Sequence, residues 1–300
     1  MAESLLRDAA PALLVRRQQH DGPPVLYVHG ATFPSALSVA YRFHGRSWMD
    51  DLNAAGFDAW ALDFAGYGGS GRYAEMSQGP FGPALGRAPE AAGQVARAVD
   101  HIAAQTGQRR VSIVAHSWGS IAAGMYAAAH PGRVARLCLF GPIARRDGPR
   151  GAMPLPRWRM VTLAEQLARF VEDVPAGHPP ALIEPDLESW GPAYLASDRD
   201  ALARTPAAVM VPNGPVADIA DAWSGALAYR PEEIRAPTLV VRGEWDRVCG
   251  DADASWLLSR IGHPVRRDAR IRAGTHLMHL EHSREGLFQA VRGFLTEDFA

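Results

Sequence analysis

The residues best suited to do chemistry in this chain lie at Ala115-His116-Ser117-Trp118-Gly119, a serine set between a short apolar run and a run of small helix-forming residues. A serine held on so tight a strand-to-helix turn needs small neighbours two positions before and two after it, because those positions crowd against backbone. Ala115 and Gly119 supply them. The hydroxyl then stands at the carboxyl edge of a sheet, beside the positive end of the following helix. Such a serine can attack a carbonyl carbon if a base takes its proton, an acid orients that base, and backbone donors meet the charge developing on oxygen. A serine here also satisfies an ordinary helix N-cap, so the surrounding elements decide between the two.

Those elements alternate. Strands are expected at 25–28, 57–62, 111–115 and 134–140, and helices at 47–55, at 89–105 and from Ser117 to His130. Within 89–105, Ala92, Val95, Val99 and Ile102 recur at helical spacing and Gly107 is placed as a C-cap. Pro131-Gly132 ends the next helix. From 141 to 235 the strand pattern lapses and prolines gather at Pro149, Pro154, Pro156, Pro175, Pro179 and Pro180, with one helix announced by the capping box Thr162-x-x-Glu165. Strands at 238–241 and 265–271 and helices at 254–261 and 283–296 then resume the alternation. The expected class is α/β, a mostly parallel central sheet with flanking helices. Residues 1–140 and 236–300 are the two parts of its core, and 141–235 are an inserted helical cap.

The order of these features resembles the α/β-hydrolase family over nearly all of the chain outside the cap. His29-Gly30 closes the first core strand, a glycine-rich loop runs from Asp63 to Gly71, and the serine turn and two later motifs follow. Ala115 stands where the family usually has glycine. The resemblance implies a nucleophile at Ser117, then an acid, then a histidine. Val241-Arg242-Gly243-Glu244-Trp245-Asp246-Arg247-Val248 is similar to the family's acid loop, in which Gly-x-x-Asp follows a strand, and implies Asp246, with Glu244 as the fallback. The segment from Ala273 to Glu281 is similar to the one in which the catalytic histidine precedes a glutamate by five positions, and implies His276, since 281 minus 276 is five. The base must reach serine with one nitrogen and the acid with the other, which suits the loop after Gly274 and leaves His279 as the alternative. The resemblance also implies oxyanion donors at the amides of Trp118 and Ala31, with Thr32 as second choice for the latter. Asp63 is read as a carboxylate that fixes its loop.

Composition removes other chemistries. All 31 basic residues are arginine, so a P-loop, a pyridoxal phosphate Schiff base and an S-x-x-K acyl enzyme, each of which needs lysine, are excluded. A formal net charge of -1 lacks the basic footprint of a nucleic-acid binder. Cys138 and Cys249 make no disulfide framework or cysteine metal site. His276, His279 and His282 are evenly spaced, but no second cluster completes a metal site, so neither metal nor organic cofactor is expected. The opening residues from Met1 to Asp8 lack a signal-peptide pattern and no stretch has the length of a membrane span, which gives cytoplasmic as the expected location.

The expected partner is a small, partly apolar substrate, with the oligomeric state left open. Trp158, Phe170, Trp190, Tyr194, Trp223 and Tyr229 are the aromatic residues of the cap. Arg145, Arg146, Arg150, Arg157 and Arg159 are read as a solvated hinge, the alternative being a site for a carboxylate-bearing substrate. The expected function is a carboxylesterase-like serine hydrolase cleaving a small ester, thioester, lactone or amide through an acyl-enzyme. Three alternatives stay open. One is a carbon–carbon bond hydrolase of ring-cleavage products. Another is a proline iminopeptidase, resembled through Ser117-Trp118-Gly119-Ser120 and the acids Glu165, Glu172, Glu184 and Glu188, although its His-Gly-Gly-Pro-Gly loop is missing. The third is a noncatalytic ligand-binding module.

Overall fold

The computed structural model describes residues 1–149 and 155–299. The first half contains β1 (Ala2–Leu6), β2 (Leu13–Gln18), β3 (Pro24–Val28), α1 (Trp48–Ala54), β4 (Asp58–Asp63), α2 (Ala88–Thr106), β5 (Val111–His116), α3 (Gly119–Ala129) and β6 (Val134–Phe140). The second half contains β7 (Trp158–Thr162), α4 (Leu163–Val171), α5 (Trp190–Ala196), β8 (Ala208–Pro212), α6 (Gly214–Trp223), β9 (Thr238–Gly243), α7 (Asp251–Arg260), β10 (Arg266–Ile271) and α8 (Arg284–Thr296). Eight strands form one sheet in the order β1-β2-β4-β3-β5-β6-β9-β10. β2 pairs antiparallel with β1 and β4, and every pair from β4 to β10 is parallel.

Parallel strands covered by helices on both faces must be apolar on both, and β3, β4, β5 and β9 are buried along their whole length. Alternate residues then go to opposite layers. Leu26, Ile113, Leu137 and Val240 pack on the α2–α3 side with Val95, Val99 and Ile121. Val25, Tyr27, Val114, Phe140 and Val241 pack on the α1–α8 side with Trp48, Leu52, Phe288 and Val291. The expected caps are present: Ser47 and Asp50 form a capping box on α1, Thr162 and Glu165 form one on α4, and Gly107 closes α2 at a φ of 72°.

Two features depart from the expectation. β1 and β2 extend the sheet at its edge, yet β2 reads as polar because Arg16 and Arg17 interrupt its apolar run. Both charges are answered from β4, Arg16 by Asp63 at 2.8 Å and Arg17 by Asp58 at 2.9 Å. The segment 141–235 also does contain strands, since β7 and β8 form a separate antiparallel pair. Each is five residues long, and the two pair across a long sequence separation that no local window spans. Among the described residues, no strand of that segment joins the eight-stranded sheet.

Candidate active site

The sheet topology delivers β5 into the centre, and its carboxyl end turns directly into α3. Ser117 occupies that turn at a φ of 54°, in the left-handed region, a conformation that non-glycine residues adopt at some cost in strain. Its amide donates to the Phe140 carbonyl at 2.9 Å, and its carbonyl accepts from Ser120 N at 2.9 Å in the first turn of α3. Gly119 is required by close approach, because a Cβ there would stand 2.3 Å from the His29 carbonyl oxygen. At the position two before the serine, Ala115 fits fully buried in β5.

His276 and Asp246 arrive from the loops after β10 and β9. His276 Nε2 lies 2.8 Å from Ser117 Oγ, and His276 Nδ1 lies 3.1 Å from both carboxylate oxygens of Asp246. The geometry is that of serine donating to Nε2 while Nδ1–H donates to the carboxylate. Asp246 Oδ1 also accepts from the amides of Val248 and Cys249, at 2.9 Å each. All three side chains are buried. Glu244 instead accepts from the Ala273 amide at 3.0 Å and does not face the histidine. Asp63 accepts from Ser35 N, Gly69 N and Arg16, which pins the loop at the end of β4.

Of the two expected oxyanion donors, Trp118 follows Ser117 at the N-cap of α3 and Ala31 lines the cavity that Ser117 also lines. Neither the Trp118 nor the Ala31 amide donates to a protein acceptor among the described residues. The Ala31 loop is held by His29, whose Nδ1–H donates to the Gly30 carbonyl at 2.7 Å while Nε2 accepts from Phe64 N at 3.0 Å. The Trp118 side chain is buried and donates through Nε1 to Asp218 of α6 at 2.9 Å. Gly30, Ala31, Thr32, Ser117 and His276 line a cavity of about 180 Å³, together with residues of the segment 141–235. Of the segment's aromatic residues only Trp223 is among them. Phe170, Trp190 and Tyr194 pack on one another and on Phe33 instead.

Two further residues bear on the position of His276: Glu281, which the sequence offers only as a spacing, and His116, which sequence reasoning misses. Glu281 is fully buried and accepts from Thr275 N at 3.1 Å and from the Thr275 hydroxyl, which clamps the loop carrying His276. This is the physical basis of the five-residue spacing. Burial raises the pKa of that carboxyl even though these hydrogen bonds favour its charge. His116 donates through Nε2 to the His276 carbonyl at 3.0 Å. The only sequence signal for it is its place beside the serine.

The evenly spaced histidines diverge. His276 faces serine, His282 is exposed, and His279 is buried against Phe33, Phe140 and His116 with neither ring nitrogen bonded. Burial first, then the neighbouring His276, lowers the His279 pKa to about 3. Between that value and 6.5 the unfolded chain binds a proton that the folded site refuses, so stability falls as pH falls through this window. At pH 4 the loss is about 3 kcal/mol. In urea denaturation at pH 7 and pH 4, His279→Phe is expected to lose less stability than the parent by about that amount. An equal loss in both proteins would show that His279 does not carry this share.

Residues 39–283 match the family model described as serine aminopeptidase, S33. Among solved structures, a hydrolase from Pseudomonas aeruginosa PA01 is 21% identical, with 98% of each chain covered and a TM-score of 0.66. The thioesterase domain from the curacin biosynthetic pathway is 16% identical, with 99% of each chain covered and a TM-score of 0.65. The 2-hydroxy-6-oxo-6-phenylhexa-2,4-dienoate hydrolase from Rhodococcus sp. strain RHA1 is 17% identical, with 99% of each chain covered and a TM-score of 0.65. A search of curated proteins finds no match. Among the described residues no helix is long and apolar enough to cross a membrane.

Proposed function

The chain belongs to the serine aminopeptidase S33 family of α/β hydrolases, and on that premise we propose that it is a serine hydrolase cleaving a small acyl substrate through an acyl-enzyme. The observation that carries this reading is the continuous hydrogen-bonded line from Ser117 Oγ through His276 to Asp246, at 2.8 Å and 3.1 Å. Ser117 attacks the acyl carbon as His276 Nε2 takes its proton, and Asp246 orients and stabilises the imidazolium. The tetrahedral oxyanion is met by the Trp118 amide at the start of α3, where the helix dipole adds positive potential, and by the Ala31 amide in the loop after β3. His276 then gives its proton to the leaving group. Water enters by the reverse sequence and releases the acid.

The segment 141–235 acts in this reading as a cap, because it supplies Arg159, Gln166, Arg169, Val216, Ile219 and Trp223 to the cavity walls. A cavity of about 180 Å³ lies below the ~300–1,000 Å³ of pockets for drug-sized ligands, which favours a small substrate. The cleaved bond is decided by turnover of p-nitrophenyl esters, thioesters, lactones, aminoacyl anilides and a vinylogous diketone. A fluorophosphonate probe, with its adduct mapped by peptide sequencing, is expected on Ser117 alone among the serines, and an adduct elsewhere would remove the reading. Asp246→Asn is expected to keep the fold and lower turnover by up to about 10⁴-fold, because the amide stabilises the wrong tautomer of His276. Turnover close to that of the parent would mean that Asp246 does not orient the base.

A further inference from the structure

The cavity beside Ser117 contains two guanidinium groups, Arg159 from β7 and Arg169 from α4, and no aspartate or glutamate is among the residues lining it. Arg159 Nη1 donates to Asn213 Oδ1 at 2.7 Å and to the Pro212 carbonyl at 3.5 Å, both uncharged. Its Nε and Nη2 donate to no protein acceptor among the described residues, and there neither Arg159 nor Arg169 has a carboxylate within 4.0 Å. Elsewhere the partly buried arginines Arg16, Arg72, Arg146 and Arg204 each meet an aspartate. Arg159 is therefore a half-buried cation with open donors, and it lines the cavity that Ser117 also lines. Guanidinium does not discharge in proteins, and burial without a counter-ion is unfavourable until a partner of opposite charge arrives. Burial is the first cause that lowers the Arg159 pKa and Arg169 adds to it, while Tyr67, Tyr194 and, beyond ion-pair distance, Glu165 oppose the shift.

An ammonium group would meet the opposite of what it needs. The acids that the sequence offered for an amine are engaged or remote: Glu165 accepts from Thr162 in the α4 capping box, Glu184 accepts from the amides of Ser189 and Trp190, and Glu172 and Glu188 are exposed. Asp246 is committed to His276. Arg145 and Arg146 meet Asp147 and Asp253, Arg157 reaches Gln78, and Arg150 lies outside the described residues. Among the described arginines of the expected hinge, Arg159 alone lines the cavity.

We propose that the cavity selects a small acyl substrate bearing a carboxylate, which seats on the open donors of Arg159 with Arg169 at the margin. The planar fork of guanidinium matches a carboxylate with two parallel hydrogen bonds. This inference rests on the serine-hydrolase reading and narrows it: a free amine is rejected, whatever the leaving group.

The test compares mono-p-nitrophenyl glutarate with its neutral methyl ester, with p-nitrophenyl 4-aminobutyrate, and with p-nitrophenyl 3-phosphonopropionate, each corrected for uncatalysed hydrolysis. A charge-assisted contact gives an expected kcat/KM preference of about 10- to 100-fold for glutarate over its methyl ester, with the aminobutyrate poorest. Arg159→Gln is expected to bring that ratio close to one. Arg169→Gln lowers it less, because Arg169 is exposed. Arg199→Gln, whose side chain is 86% exposed on the surface, keeps the ratio and controls for net charge. Fluorophosphonate labelling of Ser117 checks each variant for a competent site, and Arg159→Lys, which keeps the charge without the fork, stands in if Arg159→Gln is not labelled. A parent that labels at Ser117 but shows no anion preference, prefers the amine, or keeps its ratio without Arg159 overturns the subsite and leaves the hydrolase reading standing. A preference for the phosphonate over glutarate overturns the carboxylate assignment. Failure of every ester together with failure of labelling overturns the hydrolase reading itself.

Discussion

Ser117→Ala is expected to lower turnover of the best ester by about 10⁶-fold, the order of loss when a serine or histidine is removed from an interdependent triad. The expectation is this large because in the proposed mechanism the three groups act as a unit. Without the hydroxyl, His276 has no proton to accept at Nε2 and Asp246 orients a base with no partner. What survives is binding and any polarisation by the oxyanion amides, worth about 10³–10⁴ over water. The Ser117 backbone is held by Phe140 and by the first turn of α3, so the turn itself does not depend on the side chain. Circular dichroism and urea denaturation should therefore match the parent while fluorophosphonate labelling disappears. Residual turnover within about 100-fold of the parent would mean that another group attacks, because binding and oxyanion stabilisation alone do not reach that rate.

How far such a site can be read from sequence depends on whether its constraint is local. The turn at Ser117 is legible because close backbone approach forces Gly119, whose Cβ would collide with the His29 carbonyl at 2.3 Å. The parallel strands β3, β5 and β6 are legible because burial keeps them mostly apolar, with Ser112, His116 and Arg136 the exceptions in β5 and β6. β2 is not, because Arg16 and Arg17 read as surface until Asp63 and Asp58 of β4 are placed against them. Asp63 stands 47 residues from Arg16, and no local window contains both. The pair β7 and β8 fails for the same reason, since its register joins Trp158 to Pro212 across most of the intervening segment.

The site follows the same division. Asp246 and His276 could be located through resemblance to a family's loops, and the structure brings both to Ser117. The clamp by Glu281 was visible only as a spacing, and its meaning required the bonds to Thr275. The sequence groups Arg159 with its neighbours as a solvated hinge, with a carboxylate site as the alternative, because nothing in a run of arginines says which one turns inward. Its environment is made by Asn213 and Pro212, more than fifty positions away.

His276→Ala should suppress turnover by about 10⁶-fold and should abolish fluorophosphonate labelling, whereas His279→Ala should leave labelling measurable. Both histidines are buried within a few ångströms of the serine turn, and His116 contacts both rings, at centroid distances of 5.1 Å to His276 and 4.7 Å to His279. Proximity alone does not separate them. Their bonds do: His276 spends one nitrogen on Ser117 and the other on Asp246, while both nitrogens of His279 lie buried and unbonded. A base must pass a proton between serine and leaving group while its other nitrogen is held by the acid, and only His276 meets both conditions. His279 lies in the turn Met278–Leu280, stacked on Phe33, so its loss opens a void beside the loop that carries the base. The effect expected of His279→Ala is thus on stability, about 2–5 kcal/mol as for other large-to-small core changes, with modest displacement of His276. Imidazole added to His276→Ala in the presence of a small ester offers a further discriminator, because exogenous base can enter the vacated space between Ser117 and Asp246. Recovery of part of the rate in His276→Ala, and none from the same addition to His279→Ala, is the outcome the geometry requires. An active His276→Ala beside a dead but folded His279→Ala would place the base three residues further along the chain.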